Sequence, residues 1–168
     1  EKVDILILNE TEAMLIAGQS LDFSEPIGIA RSLLRRVGQV VILTLGEKGS
    51  VIVSDEMEKQ IPSYVVNTVD TTGAGDTFCG AFVAQWVEGV DLQDCVQFAT
   101  AAAALSVTRI GAQVSIPYQK EVIDDYIARI TENTKNIREQ ELQQQFKDVL
   151  APSAKAEILQ KLIDLKKE

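Results

Sequence analysis

Two short apolar runs, Val3 to Leu8 and Val40 to Thr44, constrain most of what this chain can become. Each is too uniformly apolar for a strand with one wet face, so each reads as a strand covered on both sides. Between them lie segments of helical character. Glu10 to Ala17 makes a short helix stopped near Gly18. Ser24 and Pro26 open a second, which runs through Arg36 with Ile29, Leu33, Leu34 and Val37 on one face and Gly38 as its stop. A strand, a helical crossover and a second strand bring the chain back in its starting direction. The pattern therefore predicts an α/β fold, a parallel sheet flanked by helices.

Farther along, Ser50 to Ser54 and Gln60 to Pro62 read as a hairpin around a polar turn at Asp55–Lys59, with Tyr64 to Val69 as a further short strand. A turn-rich stretch from Asp70 to Asp76 leads into a helix on which Phe78, Ala81, Phe82, Gln85 and Trp86 recur at helical spacing, the aromatics as core, and Gly89 ends it. Asp91 is placed to cap the next helix, with Asp94 as its reciprocal partner. That helix passes through the small residues Ala99 to Ala104, which allow a neighbour to approach closely, and Arg109 to Gln113 is a loop. After Pro117, Val122, Ile123, Tyr126, Ile127 and Ile130 form an amphipathic helix. Residues 131–168 are rich in Gln, Glu and Lys. Two more helices are expected there, one carrying Leu142, Phe146, Val149 and Leu150 and the other Ile158, Leu159, Leu162 and Ile163, divided at Pro152–Ser153. The expected division is a domain over 1–130 and a helical extension of unknown role over 131–168.

Composition narrows the chemistry. With 168 residues, 46% of them hydrophobic and 24% charged, the chain can build one sizeable core. It contains no histidine, which removes Ser–His and Cys–His mechanisms and most zinc sites. Acid–base work must rest on carboxylates, Lys or Tyr. Cys79 and Cys95 lack metal or redox spacing and read as reduced packing residues of a cytoplasmic protein. Net charge is −9 and the basic residues are dispersed, so nucleic acid is not an expected partner. No apolar run approaches the roughly 18 to 20 residues of a membrane span, so a membrane is not expected either. The chain opens on Glu1 without a leader, and that start suggests a fragment.

The chemistry centres on Gly73-Ala74-Gly75-Asp76. A helix begins here, and the first N–H groups of a helix lack intrahelical acceptors and sit at its positive end. Two glycines let an anion approach those groups closely. Asp76 adds a carboxylate at the edge, placed to take a proton from a hydroxyl. Phosphoryl transfer tolerates so weak a base, because its loose transition state needs positioning and charge stabilisation more than early proton removal. Standing alone, the four residues fit a tight turn with a helix cap equally well. A dinucleotide-binding loop is excluded by Phe78, which stands where a third glycine belongs, and no P-loop pattern occurs in the chain.

The stretch Val69-Asp70-Thr71-Thr72-Gly73-Ala74-Gly75-Asp76-Thr77-Phe78 resembles the C-terminal signature of ribokinase-like (PfkB-type) sugar kinases. Asn9-Glu10-Thr11-Glu12, Thr44-Leu45-Gly46-Glu47-Lys48-Gly49, and Ala101–Ala104 through Val107-Thr108-Arg109-Ile110-Gly111-Ala112-Gln113 are similar to that family in order and spacing. The likeness runs from Val3 to about Ile127. It implies the C-terminal part of a ribokinase-like fold, with the N-terminal half and lid absent, and an ATP-dependent kinase whose acceptor is a small sugar, the 5-hydroxyl of D-ribose foremost. It further implies that Asp76 is the catalytic base and binds the sugar, that Gly73, Ala74 and Gly75 form the anion hole, and that Asn9, Thr44, Leu45, Gly46, Glu47, Gly49, Gly75 and Thr100 bind the nucleotide, ATP or ADP. Glu12 would organise Mg²⁺ through water. Asp70, Thr72, Ser106, Arg109, Gly111 and Ser115 would surround K⁺, mostly through backbone carbonyls. Cys79 stands where this motif often has Asn, which loosens the choice of sugar. A homodimer, or a separate N-terminal half, is an implied partner; the alternative is a non-catalytic half-kinase that binds or assembles through its C-terminal helices.

Overall fold

The computed structural model describes residues 3–125 together with 128, 129, 132, 136, 137 and 140. The helices expected around Leu142 to Leu150 and Ile158 to Ile163, and the Tyr126, Ile127 and Ile130 positions, lie outside the described residues. The chain divides into two compact units, Glu1–Val122 and Ile123–Glu168.

In the first unit, β1 (Ile5–Asn9), α1 (Glu10–Ala17), α2 (Pro26–Ser32) and β2 (Val40–Thr44) form the predicted strand–crossover–strand. β1 and β2 pair in parallel, Ile5 opposite Val40 through Asn9 opposite Thr44. The hairpin follows as β3 (Ser50–Val53) and β4 (Glu58–Ile61), both antiparallel to their neighbours. The sheet order is β1-β2-β3-β4. The α/β class stands, with the sheet mixed: one ladder is parallel and the two made by the hairpin are antiparallel.

Side-chain alternation along the strands builds two cores, one on each face. Leu8, Val41, Leu43, Val51 and Val53 pack under α1 and α2 with Ala13, Ala30 and Leu33. Ile42, Ile52 and Ile61 pack on the opposite face against Phe78, Phe82, Val96 and Ala99. Those last four come from α3 (Ala74–Val87) and α4 (Leu92–Ser106). Helices on both faces explain why β1, β2 and β3 are apolar along most of their length rather than alternating.

Five expectations need correction. The Tyr64–Val69 segment joins no ladder; the N–H groups of Val69 and Asp70 instead donate to one carbonyl, Val107, at 2.7 and 3.1 Å. Helix α2 ends at Ser32 rather than Arg36, where the Arg35 N–H is taken by the Gln39 side chain at 2.8 Å, and Val37 is left exposed. Asp91 stands at the start of α4 but makes no side-chain capping bond. Trp86 is not core: it stacks on buried Phe82 at 6.0 Å and is 43% exposed. Of the cysteines, Cys95 is buried and Cys79 is exposed.

Candidate functional site

Asn9 closes β1 and Thr44 closes β2, register partners at the carboxyl ends of the two parallel strands. That edge is where open α/β sheets present ligands, because the strand ends splay and loops rise around them. A cleft of about 930 Å³ opens there. Its walls include Asn9, Thr44, Gly46, Glu47 and Gly49 from the strand ends, Ala74 and Gly75 from the start of α3, and Thr100 from α4. Seven of the eight residues expected at the nucleotide thus surround one space. Leu45, the eighth, does not line it: its side chain is 3% exposed in the core.

The turn after β2 is shaped by packing as well as by any ligand. Leu45 N–H donates to the Gly49 carbonyl at 2.8 Å, which closes the turn. Gly49 has φ +91°, and a Cβ there would lie 2.0 Å from the Ile61 carbonyl oxygen. Only glycine lets the turn press against the end of β4.

The Asn9-x-x-Glu12 pair is a capping box. Glu12 N–H donates to Asn9 Oδ1 at 2.9 Å, and Asn9 N–H donates to Glu12 Oε2 at 2.8 Å. Two orphan donors of α1 are satisfied reciprocally. Asn9 Nδ2 and Glu12 Oε1 take no part in the box.

At α3, Gly73 adopts φ +77° and turns the chain into the helix, with Ala112 close enough to crowd any side chain there. Ala74 N–H is engaged, donating to the Thr71 carbonyl at 3.2 Å, and Thr77 N–H donates to the Gly73 carbonyl at 2.8 Å. The N–H groups of Gly75 and Asp76 have no acceptor among the described residues, and both residues are exposed. The Gly73 N–H likewise has no acceptor among the described residues, so the amides of Gly73, Gly75 and Asp76 are open to an anion while that of Ala74 is engaged. Asp76 also lines a second groove of about 710 Å³, with buried Thr77 beside it. The start of α3 therefore stands between two cavities, Gly75 on one and Asp76 on the other. Partial desolvation raises the thiol pKa of Cys79, exposed though the residue is, and the charges of Asp76 and then Glu12 raise it further.

Behind the turn, the two loops expected to hold a monovalent cation are tied together. Asp70 Oδ1 accepts from Thr72 N–H and Oδ2 accepts from Gly111 N–H, each at 2.9 Å. The Gly111 bond, then those of Thr72, hold the Asp70 carboxyl at a pKa of about 2. Arg109 pairs with Glu121 at 2.6 Å, and Ser115 Oγ donates to the Ala112 carbonyl at 2.9 Å. Ser106 is buried and its hydroxyl donates to Ala103. Backbone carbonyls of Asp70, Thr72, Arg109 and Gly111 accept no hydrogen bond among the described residues.

Sequence reading did not find Lys48, Val65 and Val66, or the Ala103, Ala104 and Val107 face of α4, all of which line the cleft. The α4 residues stand at helical spacing from Thr100, a signal that was available. Val65 and Val66 carry strand propensity, which masks a place in the lining of a cleft.

The chain is similar to known carbohydrate kinases. The family model described as pfkB family carbohydrate kinase matches residues 1–119. The chain is 38% identical over 122 residues to the ribokinase of Staphylococcus aureus (strain COL), covering 71% of this chain and 40% of that protein. It is 37% identical over 128 residues to the deoxyribokinase of Salmonella typhi, covering 76% and 42%. Among solved structures it is similar to the ribokinase of Thermotoga maritima, with a TM-score of 0.65 and 41% identity over 72% of this chain and 41% of that one. The Arabidopsis thaliana ribokinase complexed with ribose and ATP superposes with a TM-score of 0.64 at 36% identity, over 72% and 40%. The chain thus spans about two fifths of the length of these relatives.

Proposed function

This chain belongs to the pfkB family of carbohydrate kinases, and from that premise we propose that it is the nucleotide-binding and phosphoryl-transfer part of a ribokinase. The carrying observation is the start of α3, where Gly75, its amide without an acceptor among the described residues, lines the cleft that gathers Asn9, Thr44, Gly46 and Thr100, with Asp76 next to it on the neighbouring groove. ATP lies in that cleft. Its terminal phosphoryl group is held at the α3 amides, whose dipole end favours the charge that spreads over the oxygens in the transition state. Asp76, on the far side of the same turn, orients the 5-hydroxyl of ribose and takes its proton as the ribose oxygen bonds to the γ-phosphorus and the bond from that phosphorus to the β,γ-bridging oxygen breaks, releasing ADP.

The residues fit both implied cations. Glu12 is the carboxylate offered to Mg²⁺, with one oxygen outside the capping box. No group of three acidic or thiol side chains gathers among the described residues, which suits an ion that keeps its waters and leans on substrate phosphates. When bound, that ion would neutralise charge on the nucleotide's phosphates. The uncommitted carbonyls of Asp70, Thr72, Arg109 and Gly111 are neutral oxygen donors of the kind K⁺ takes. Asp70 holds their two loops in register.

The test uses the full chain alone and fused to the N-terminal part of the Thermotoga maritima ribokinase that it does not cover. Alone it should bind ATP weakly and phosphorylate no ribose. Fused, it should turn ribose over, and Asp76→Asn should then lower kcat by at least about a hundredfold with the nucleotide Kd largely kept. Robust ribose turnover by the chain alone, or an undiminished Asp76→Asn fusion, would refute the reading.

A further inference from the structure

The two edges of the sheet are finished differently. β4 is exposed along Glu58, Lys59 and Gln60, and its charges are engaged: Glu58 pairs with Arg31, and Lys59 Nζ donates to Gln93 Oε1 at 2.7 Å. A sheet edge that faces water is finished in this way. β1 is not. It is apolar from Ile5 to Leu8, and no ladder lies beyond it among the described residues. The helices beside it are apolar outward as well. Helix α4 packs on β3 and β4, which leaves α3 on the β1 side of its layer, in one cluster with Ile5 and Ile7. On the other face α2 packs on β2, β3 and β4, which leaves α1 over β1 and β2 with Leu15 exposed.

From Thr77 to Val87, α3 carries no charged residue, and Val83, Trp86 and Val87 are exposed on it, Val87 to 72%. A helix apolar on every side belongs inside a protein. Gly80 is an independent sign. It lies within α3, where glycine is less stable than alanine. A Cβ on it would meet nothing within 4 Å, so no neighbour among the described residues explains a glycine there. Gly80 and Ala84, one turn apart, line the open groove beside Phe98 of α4.

We propose that β1 and the outward side of α3 form one docking seam, whose occupant is the remaining portion of a pfkB-type carbohydrate kinase. That portion supplies a strand to pair with β1 and an apolar helix whose backbone comes close to Gly80. Length and charge single it out. The chain covers 40% of the Staphylococcus aureus ribokinase, so the larger part of that relative lies outside the match. A lone peptide strand would cover β1 and leave α3 open. A second copy would set a net charge of −9 against its equal. The inference rests on family membership and on this surface, and on no assignment of nucleotide or sugar.

The test compares the full chain, diluted until it sediments as a monomer, with the same chain fused to the part of the Thermotoga maritima ribokinase that it does not cover. Fusion should raise the urea midpoint, and hydrogen exchange of the Ile5–Leu8 amides should slow by at least about tenfold. Gly80→Leu should leave the midpoint of the chain alone equal or higher, because the site is open and leucine is the better helix former. In the fusion the same change should lower the midpoint by overpacking the seam. Exchange that fusion leaves unchanged, a Gly80→Leu effect that is the same in both proteins, or a fusion that does not fold overturns the inference. Exchange that slows as far on concentrating the chain alone gives the seam to a second copy and overturns it too. A fusion that meets every expectation yet phosphorylates no ribose refutes the proposed activity and leaves the seam standing.

Discussion

Both oxygens of Asp70 are occupied by N–H donors, one on its own loop and one on the loop at Gly111. These bonds favour the charged form and lower its pKa from 3.8 to about 2. The sign follows from linkage. Between those values the unfolded chain carries a proton that the folded chain does not, so stability from this group is fully present above pH 3.8 and is lost as pH falls through about 2. Asp70→Asn should remove that part of the acid-unfolding slope, and urea midpoints measured at stepped pH across the window would show it. An unchanged slope would mean the two loops are held by something else. Asp70 was marked in the sequence only by family resemblance, as a cation neighbour. Its bridge to Gly111 joins residues far apart in the chain, and no local pattern encodes that. Asn9 and Glu12 are the opposite case. The N-x-x-E spacing is a capping-box signature ahead of an apolar segment, so their mutual bonds are legible in the sequence beside the implied role in phosphate and metal placement.

At the scale of elements, the glycine turns separate two kinds of requirement. Gly49, after β2, has φ +91° and no room for a Cβ. Gly75, in the first turn of α3, has open space around it and no such backbone constraint. Gly49→Ala should therefore cost at least about 2 kcal/mol, read as a fall in the urea midpoint. Gly75→Ala should leave stability equal or raise it by up to about 1 kcal/mol, yet weaken nucleotide binding by crowding the amides. If Gly75→Ala bound ATP as well as the wild type, the anion site would not be at this turn. Elements bounded by punctuation were easy to read: α1 stops at Gly18 and β2 ends at Thr44, as periodicity and glycine placement predict. The Tyr64–Val69 segment misled because Val65, Val66 and Val69 have strand propensity, and propensity says nothing about whether a neighbouring strand is there to complete a ladder. Trp86 misled for a related reason: helical spacing places it on a face but does not say what covers that face.

Across the molecule, alternation of apolar runs and helices was enough to predict a sheet between two helical layers, and the two cores under α1–α2 and α3–α4 bear this out. The separation of Gly75 and Asp76 onto different cavities was not legible, because it depends on how α3 is rolled against α4. Among the described residues the sheet ends on a strand with one free side. β1 lies at the edge of the strand order. Its outward N–H and C=O groups form a row without a ladder among the described residues, and its Ile5, Leu6 and Ile7 are half-buried. Native edges are usually blunted by charge, proline or a bulge, and β1 carries none of these between Ile5 and Leu8. Sedimentation velocity on a dilution series should show the chain associating as it is concentrated, and a single monomeric boundary throughout would contradict this. A strand so exposed acts as an adhesive strip: the more molecules share a volume, the more often one sheet is lengthened by the next.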